Sequence, residues 1–161
     1  MNVMNRRTAL KQLFIVAGGL VIASSCTQGG KGTSIVLENI KLSAADESLI
    51  GDLVEAIIPK TDSPGAKELN LHLFVMKMLD DCHSPEDQQA FLAGLKLVKK
   101  AELKTDSERL AYLNGLEKDV FYEILKKRTI QGYLNSEYVM KNKLVYELVP
   151  GRYNGAVKVN A

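Results

Sequence analysis

The residues best able to do chemistry in this chain are His72, Cys82, His83 and two runs of adjacent acids, Asp80-Asp81 and Glu86-Asp87. Histidine and cysteine are zinc ligands. If one helix carries both His72 and His83, they stand roughly 16 Å apart along its axis, so they can share a face but not an ion. Paired carboxylates can serve as general acid and base. Glu86-Asp87, however, follows Ser84-Pro85, and acids at a helix start complement the helix dipole. No Ser-His-Asp or Cys-His arrangement is suggested by the sequence context of the two histidines. The chain carries no Gly-rich dinucleotide loop and no Walker loop. It also lacks a Cys-x-x-Cys-His haem motif and a cysteine set for an iron–sulfur cluster. Met76, Met78 and Met140 read as core filler. The expectation is a chain with no catalytic residues, no metal and no cofactor of its own.

The strongest signal lies at the N-terminus. Arg6, Arg7 and Lys11 precede an apolar run from Leu13 to Ala23. A basic head, a short apolar stretch and small residues at its end make a secretory signal. The run is about half the ~20 residues that a spanning helix needs. Asn5-Arg6-Arg7-Thr8-Ala9-Leu10-Lys11 resembles a bacterial twin-arginine signal, the address for folded cargo. Ala23-Ser24-Ser25-Cys26 resembles a lipoprotein box, with Cys26 as the acylated residue. Each buried methylene contributes ~0.8 kcal/mol, so two or three acyl chains anchor a protein stably. An uncleaved anchor and an ordinary cleaved signal are the alternatives. The expected location is the periplasm, at a membrane.

The 161-residue chain has 21 basic and 19 acidic residues, a net +2. Arg6, Arg7 and Lys11 supply three of those bases. Without residues 1–25, 136 residues remain, with 18 bases against 19 acids and a net charge of −1. The basicity belongs to the signal, and nothing remains to attract nucleic acid. With Cys26 acylated, Cys82 has no partner within the chain. It is either buried and inert or pairs with a thiol of another chain.

The body must then be built from helices. Residues 26–42 hold the acylated cysteine and a tether: 27–34 read as flexible, and Ile35 to Leu42 as a short extended piece. Ser43, with Asp46 three residues on, starts a helix. Its stripe is Leu49, Ile50, Leu53, Val54, Ile57 and Ile58, and Pro59 ends it. Thr61-Asp62-Ser63-Pro64-Gly65 is a turn, and a second helix is expected from about Ala66 to Asp81. Ser84-Pro85 opens a third, with Phe91, Leu92, Leu95 and Val98 on its buried face. Thr105 with Glu108 opens a fourth, followed by Leu110, Leu113 and Leu116. Val120, Phe121, Ile124 and Leu125 mark a fifth, to about Tyr133. Ser136 starts a short last one, to about Tyr146. The fold class is all-α: one compact domain over 43–161 with about five to six helices, behind the signal and tether.

Two stretches resemble a known family. Leu53-Val54-Glu55-Ala56-Ile57-Ile58-Pro59-Lys60-Thr61-Asp62-Ser63-Pro64-Gly65-Ala66 is similar to the signature of the gluconate 2-dehydrogenase subunit 3 family. Gly132-Tyr133, Tyr146, Pro150-Gly151, Tyr153 and Gly155 resemble its C-terminal pattern, with Phe91-x-x-Gly94-Leu95 between the two blocks. The resemblance covers roughly residues 43–157. It implies a non-catalytic helical subunit that partners a glucose–methanol–choline-type flavoprotein carrying FAD, often with a cytochrome c subunit as electron acceptor. The substrates of such complexes are sugars, sugar acids or polyols. The small subunit assists folding of the flavoprotein and its export by the twin-arginine route.

Partner-contact candidates are Pro59, Thr61, Asp62, Pro64, Gly65 and Ala66 in the turn, and Tyr133, Tyr146, Pro150, Gly151, Tyr153 and Gly155 in the tail. Tyrosine, apolar in body and polar at its tip, suits interfaces. Packing within the chain is the alternative at both places. A free-standing periplasmic lipoprotein that binds a ligand or envelope component is the competing function.

Overall fold

Five of the six described helices start where a side chain accepts a backbone N–H that has no partner within the helix; the exception follows Asn70, which makes no side-chain cap. The computed structural model describes residues 32–144 together with Gly151 and Ala156. Helix α1 spans Ala44–Ile57. The Ser43 hydroxyl accepts from the Asp46 N–H at 3.2 Å, and the Asp46 carboxylate accepts from the Ser43 N–H at 3.0 Å. Helix α2 spans Leu71–Cys82, and α3 spans Pro85–Lys100 behind the Ser84 cap. Helix α4 spans Asp106–Asn114 behind a Thr105/Glu108 capping box. Helix α5 spans Val120–Leu134, capped by Asp119, and α6 spans Glu137–Asn142, capped by Ser136. The described residues contain six helices and no strand. None of these helices is long and apolar enough to cross a membrane.

Helix α5 is the hub. It packs against α1, α2 and α3, while α4 packs on α1 and α6 on α5. The core is a single cluster that includes Ile50, Leu53, Met76, Leu79, Phe91, Leu113, Phe121 and Leu125. The Phe91 and Phe121 rings meet at 4.9 Å between centroids, tilted by 52°, a favourable aromatic geometry. Two glycines set the helix spacing. A Cβ on Gly94 would lie 2.6 Å from Phe121 Cγ, and one on Gly132 would lie 2.8 Å from Phe74 Cδ1. Only glycine lets α3 and α2 approach α5 this closely.

Three boundaries differ from the sequence expectation. Helix α2 begins at Leu71 rather than Ala66, because residues 66–70 form a turn. In that turn the Leu71 N–H donates to the Ala66 carbonyl at 3.0 Å. Asn70 then adopts a left-handed backbone, φ 52°, which Asn tolerates better than most residues, and resets the chain direction. Helix α6 stops at Asn142 rather than near Tyr146. Its last turn closes as Leu144 N–H donates to the Val139 carbonyl at 3.1 Å, a helix-ending bond. The third difference concerns the tether. Residues 34–42 are not loose: Ile40 is buried, and Ile35, Leu37 and Leu42 pack against the core. They form an arm, with no strand pairing, that belongs to the folded body. Leu110 and Val120 point outward, although their spacing matched the buried stripes.

Candidate functional site

The signature stretch Leu53–Ala66 is a helix end and a turn tied together by one carboxylate. Glu55 sits near the C-terminal end of α1. Its carboxylate accepts the Lys60 N–H at 3.2 Å and the Lys67 N–H at 2.7 Å. The turn is closed further by Ala66 N–H donating to the Ile58 carbonyl at 2.9 Å and Thr61 N–H donating to the Ser63 carbonyl at 3.0 Å. Lys60 and Glu68 form an ion pair at 2.8 Å across its mouth.

This arrangement divides the turn residues into two sets. Gly65 and Ala66 are buried and belong to the base. Pro59, Thr61 and Asp62 are exposed, with Pro64 half-buried between the two sets. Gly65 is required by space. A Cβ there would collide with the Glu55 carboxylate and stand 2.8 Å from the Lys60 nitrogen. The carboxylate can rotate away, but the Lys60 backbone cannot, and it would lose its acceptor. Gly65→Ala is therefore expected to lower stability by about 1–3 kcal/mol, read as a shift in the urea midpoint. An unchanged midpoint would show that the turn relaxes freely.

The tail residues are less fully placed. Tyr133 is half-buried against the core. Gly151 is exposed, with open space where a side chain would stand. Tyr146, Pro150, Tyr153 and Gly155 lie outside the described residues, as do Arg6, Arg7, Lys11 and Cys26 of the export segment.

Of the residues first singled out for chemistry, His83 is the most fully partnered. His83 caps the end of α2. Its Nε2 accepts from Arg128 Nε at 3.1 Å, which puts the ring proton on Nδ1, 3.3 Å from the Asp87 carboxylate. His83 thus fastens α2, α3 and α5 together. His72 lies elsewhere, half-buried, with Nε2 3.8 Å from Glu47. Burial pushes its imidazole below the ordinary histidine value, outweighing the nearby Glu47. Among the described residues no three His, Cys, Asp or Glu side chains gather as a metal site. Cys82 corrects one expectation: it is exposed, not buried, because the last turn of α2 turns it away from the core.

Sequence reasoning named Asp80 only as one of two adjacent acids and missed what it holds. It is 1% exposed, and its carboxylate accepts three successive backbone N–H groups from the arm: Glu38 at 2.8 Å, Asn39 at 2.7 Å and Ile40 at 3.0 Å. The Asn39 amide donates in turn to the Asp80 carbonyl at 3.0 Å. The buried Gln88 amide donates to the carbonyls of Leu79 and Asp80 at 3.1 and 3.0 Å. A second carboxylate, Glu47, holds the start of the arm through the N–H and hydroxyl of Ser34. One signal for Asp80 was available. An acid in the last turn of a helix opposes the dipole, so a buried one needs donors from elsewhere.

A helical body with a locked signature turn and a tail pattern that resembles one family defines a class: a small helical subunit of a larger assembly. The family model for Gluconate 2-dehydrogenase subunit 3 matches residues 44–151, from the first residue of α1 into the tail. The chain belongs to the gluconate 2-dehydrogenase subunit 3 family, an accessory subunit of a dehydrogenase complex. No curated protein and no solved structure matches the chain.

Proposed function

We propose that this protein is the non-catalytic small subunit of a flavin-dependent dehydrogenase, and that it escorts the catalytic subunit out of the cytoplasm. The observation that carries the proposal is the family match across residues 44–151. The partner is a glucose–methanol–choline-type flavoprotein that holds FAD and oxidises a sugar, sugar acid or polyol. A cytochrome c subunit takes the electrons. Arg6 and Arg7 route the assembled pair through twin-arginine export. Cys26 carries the lipid that keeps the pair at a membrane on the periplasmic side.

A signal for folded cargo supports the escort role. A small helical chain without a cofactor has little need to fold before export, whereas a flavoprotein must first acquire its flavin. The exposed tip at Pro59, Thr61 and Asp62 is held in one conformation by Glu55. A preordered contact loop loses little entropy on binding.

The direct test is to tag the full chain, purify it from its native host and record the visible spectrum. A yellow product with flavin absorbance, together with a large subunit, is the expected result. A colourless product without a partner would instead indicate a free-standing lipoprotein.

A further inference from the structure

The arm, residues 34–42, is latched at two places. At its start the Ser34 N–H donates to the Glu47 carboxylate at 2.6 Å, and the Ser34 hydroxyl donates to the same group. Further on, Asp80 accepts the N–H groups of Glu38, Asn39 and Ile40. Ile40 is buried, and Ile35, Leu37 and Leu42 pack against the core. Ordering a backbone costs about 1–2 kcal/mol per residue. A segment that only joins an anchor to a domain needs neither that order nor two buried carboxylates. The family match begins at Ala44, so the arm stands outside the matched region while both of its acceptors stand within it.

The latches shorten the reach of the lipid anchor. Eight residue steps separate Cys26 from Ser34, at most about 29 Å of fully extended chain. With the arm released, the first held residue is Ser43, seventeen steps from Cys26, and the limit becomes about 61 Å. A domain of this size is roughly 35 Å across. The latched reach is shorter than the body is wide, and the released reach exceeds that width. While the arm is latched, the side that carries Ser34 cannot turn away from the surface in which Cys26 is anchored.

We propose that the side of the body around Ser34, Glu47 and His72 is its membrane-facing surface, and that the arm is the strap that fixes this orientation. The inference rests on the acylated Cys26 of the function proposed above. The partner is a phospholipid surface, met at its headgroups. The hollow on this side, about 250 Å³, is lined by polar and small residues, among them Ser34, Ser48, Gly51, Lys67 and His72. None of its lining residues is a large exposed apolar side chain, so it has nothing to insert among acyl chains.

The test uses the full chain, acylated and purified from its native host, in vesicles of phosphatidylethanolamine and phosphatidylglycerol that carry a headgroup acceptor dye. With Cys82→Ser as background, a donor dye is placed at Ser48→Cys, beside Glu47, or at Lys141→Cys, on α6, which packs on α5. Both positions are exposed. Energy transfer from position 48 is expected to exceed that from position 141 by at least about twofold, because the tether is shorter than the body is wide. Adding Glu47→Ala and Asp80→Ala releases the arm, seen as protease cleavage within residues 34–42, and the two transfers are expected to converge. Should that variant fold poorly, an insert of about fifteen Gly and Ser residues after Gly30 lengthens the tether without touching the body and is expected to bring the same convergence. Equal transfer from the two positions in the latched chain would overturn the orientation. A difference that survives both arm release and the insert would overturn the strap. A purified chain whose mass shows no acyl group on Cys26 would overturn the anchor itself, which separates that failure from the other two.

Discussion

Replacing Asp80 with Ala is expected to lower the stability of the domain by about 3–4 kcal/mol, comparable to truncating a buried core phenylalanine. Its carboxylate is the common acceptor for three neighbouring backbone N–H groups of the arm. Removing it leaves those donors beside a buried site, and each unsatisfied buried donor costs about 1–3 kcal/mol. The costs do not simply add, because the arm can lift off and return its N–H groups to water. Lifting off exposes Ile40, so that escape has its own cost. A domain of this size has about 5–15 kcal/mol in total, so the loss is a large fraction. Urea titration gives the global value, and protease cleavage within residues 34–42 reports release of the arm. Full retention of both midpoint and protection would show that the three bonds contribute nothing net.

The same site gives a pH signature with a definite sign. Burial acts to raise the Asp80 carboxyl, and the backbone N–H groups of Glu38, Asn39 and Ile40 more than offset it, leaving the group below the ordinary aspartate range. A carboxyl depressed in the folded state stabilises above its unfolded value, about 3.9. That contribution disappears as pH falls through the lower folded value. Asp80→Asn keeps one acceptor oxygen but no charge. The stability gap between wild type and Asp80→Asn is therefore expected to be full at neutral pH and to narrow below about pH 4. Equal gaps at pH 3 and pH 7 would mean that the charge is not what holds the arm.

The second large effect concerns the whole complex. With residues 1–25 deleted, or Arg6 and Arg7 both replaced by Lys, the flavoprotein is expected to stay in the cytoplasm with this chain. Under the proposed escort role the loss of exported dehydrogenase should be nearly complete, because the partner would then depend on this chain's signal. Fractionation followed by flavin fluorescence and dehydrogenase activity in each fraction makes the measurement. Cys26→Ser serves as the internal comparison: under the same proposal, with acyl chains on Cys26 as the anchor, it should leave export intact and release the complex from the membrane into the soluble periplasm. Normal amounts of periplasmic flavoprotein in the Arg6, Arg7 variant would end the escort proposal.

These predictions draw on parts of the molecule that were unequally legible in the sequence. The helix starts at Ser43, Ser84, Thr105 and Ser136 could be read directly, because a cap is a contact between residues three apart. The main buried stripes were legible for the same local reason: 3.6-residue periodicity is a property of one helix. The family signature was legible too, and it placed Glu55 and Gly65 within one motif without saying what joins them. The structure supplies the bond: one carboxylate on a helix end holding the N–H groups of a turn up to twelve residues away. The exposed tip and buried base of that turn follow from this bond.

What the sequence determined alone was therefore local: helical class, caps, stripes, the motif that marks the family, and the expectation of export carried by Arg6, Arg7 and Cys26. Only the tertiary structure decided that residues 34–42 belong to the body. Their hold on Asp80 joins positions about forty apart, and no local rule pairs a backbone N–H with a carboxylate at that distance in sequence. Only the tertiary structure decided that Cys82 faces outward. It likewise decided that α5 buries Phe121, Leu125 and Gly132 while leaving Ile130 and Leu134 outside, because spacing along one helix does not say which neighbours will cover each apolar residue.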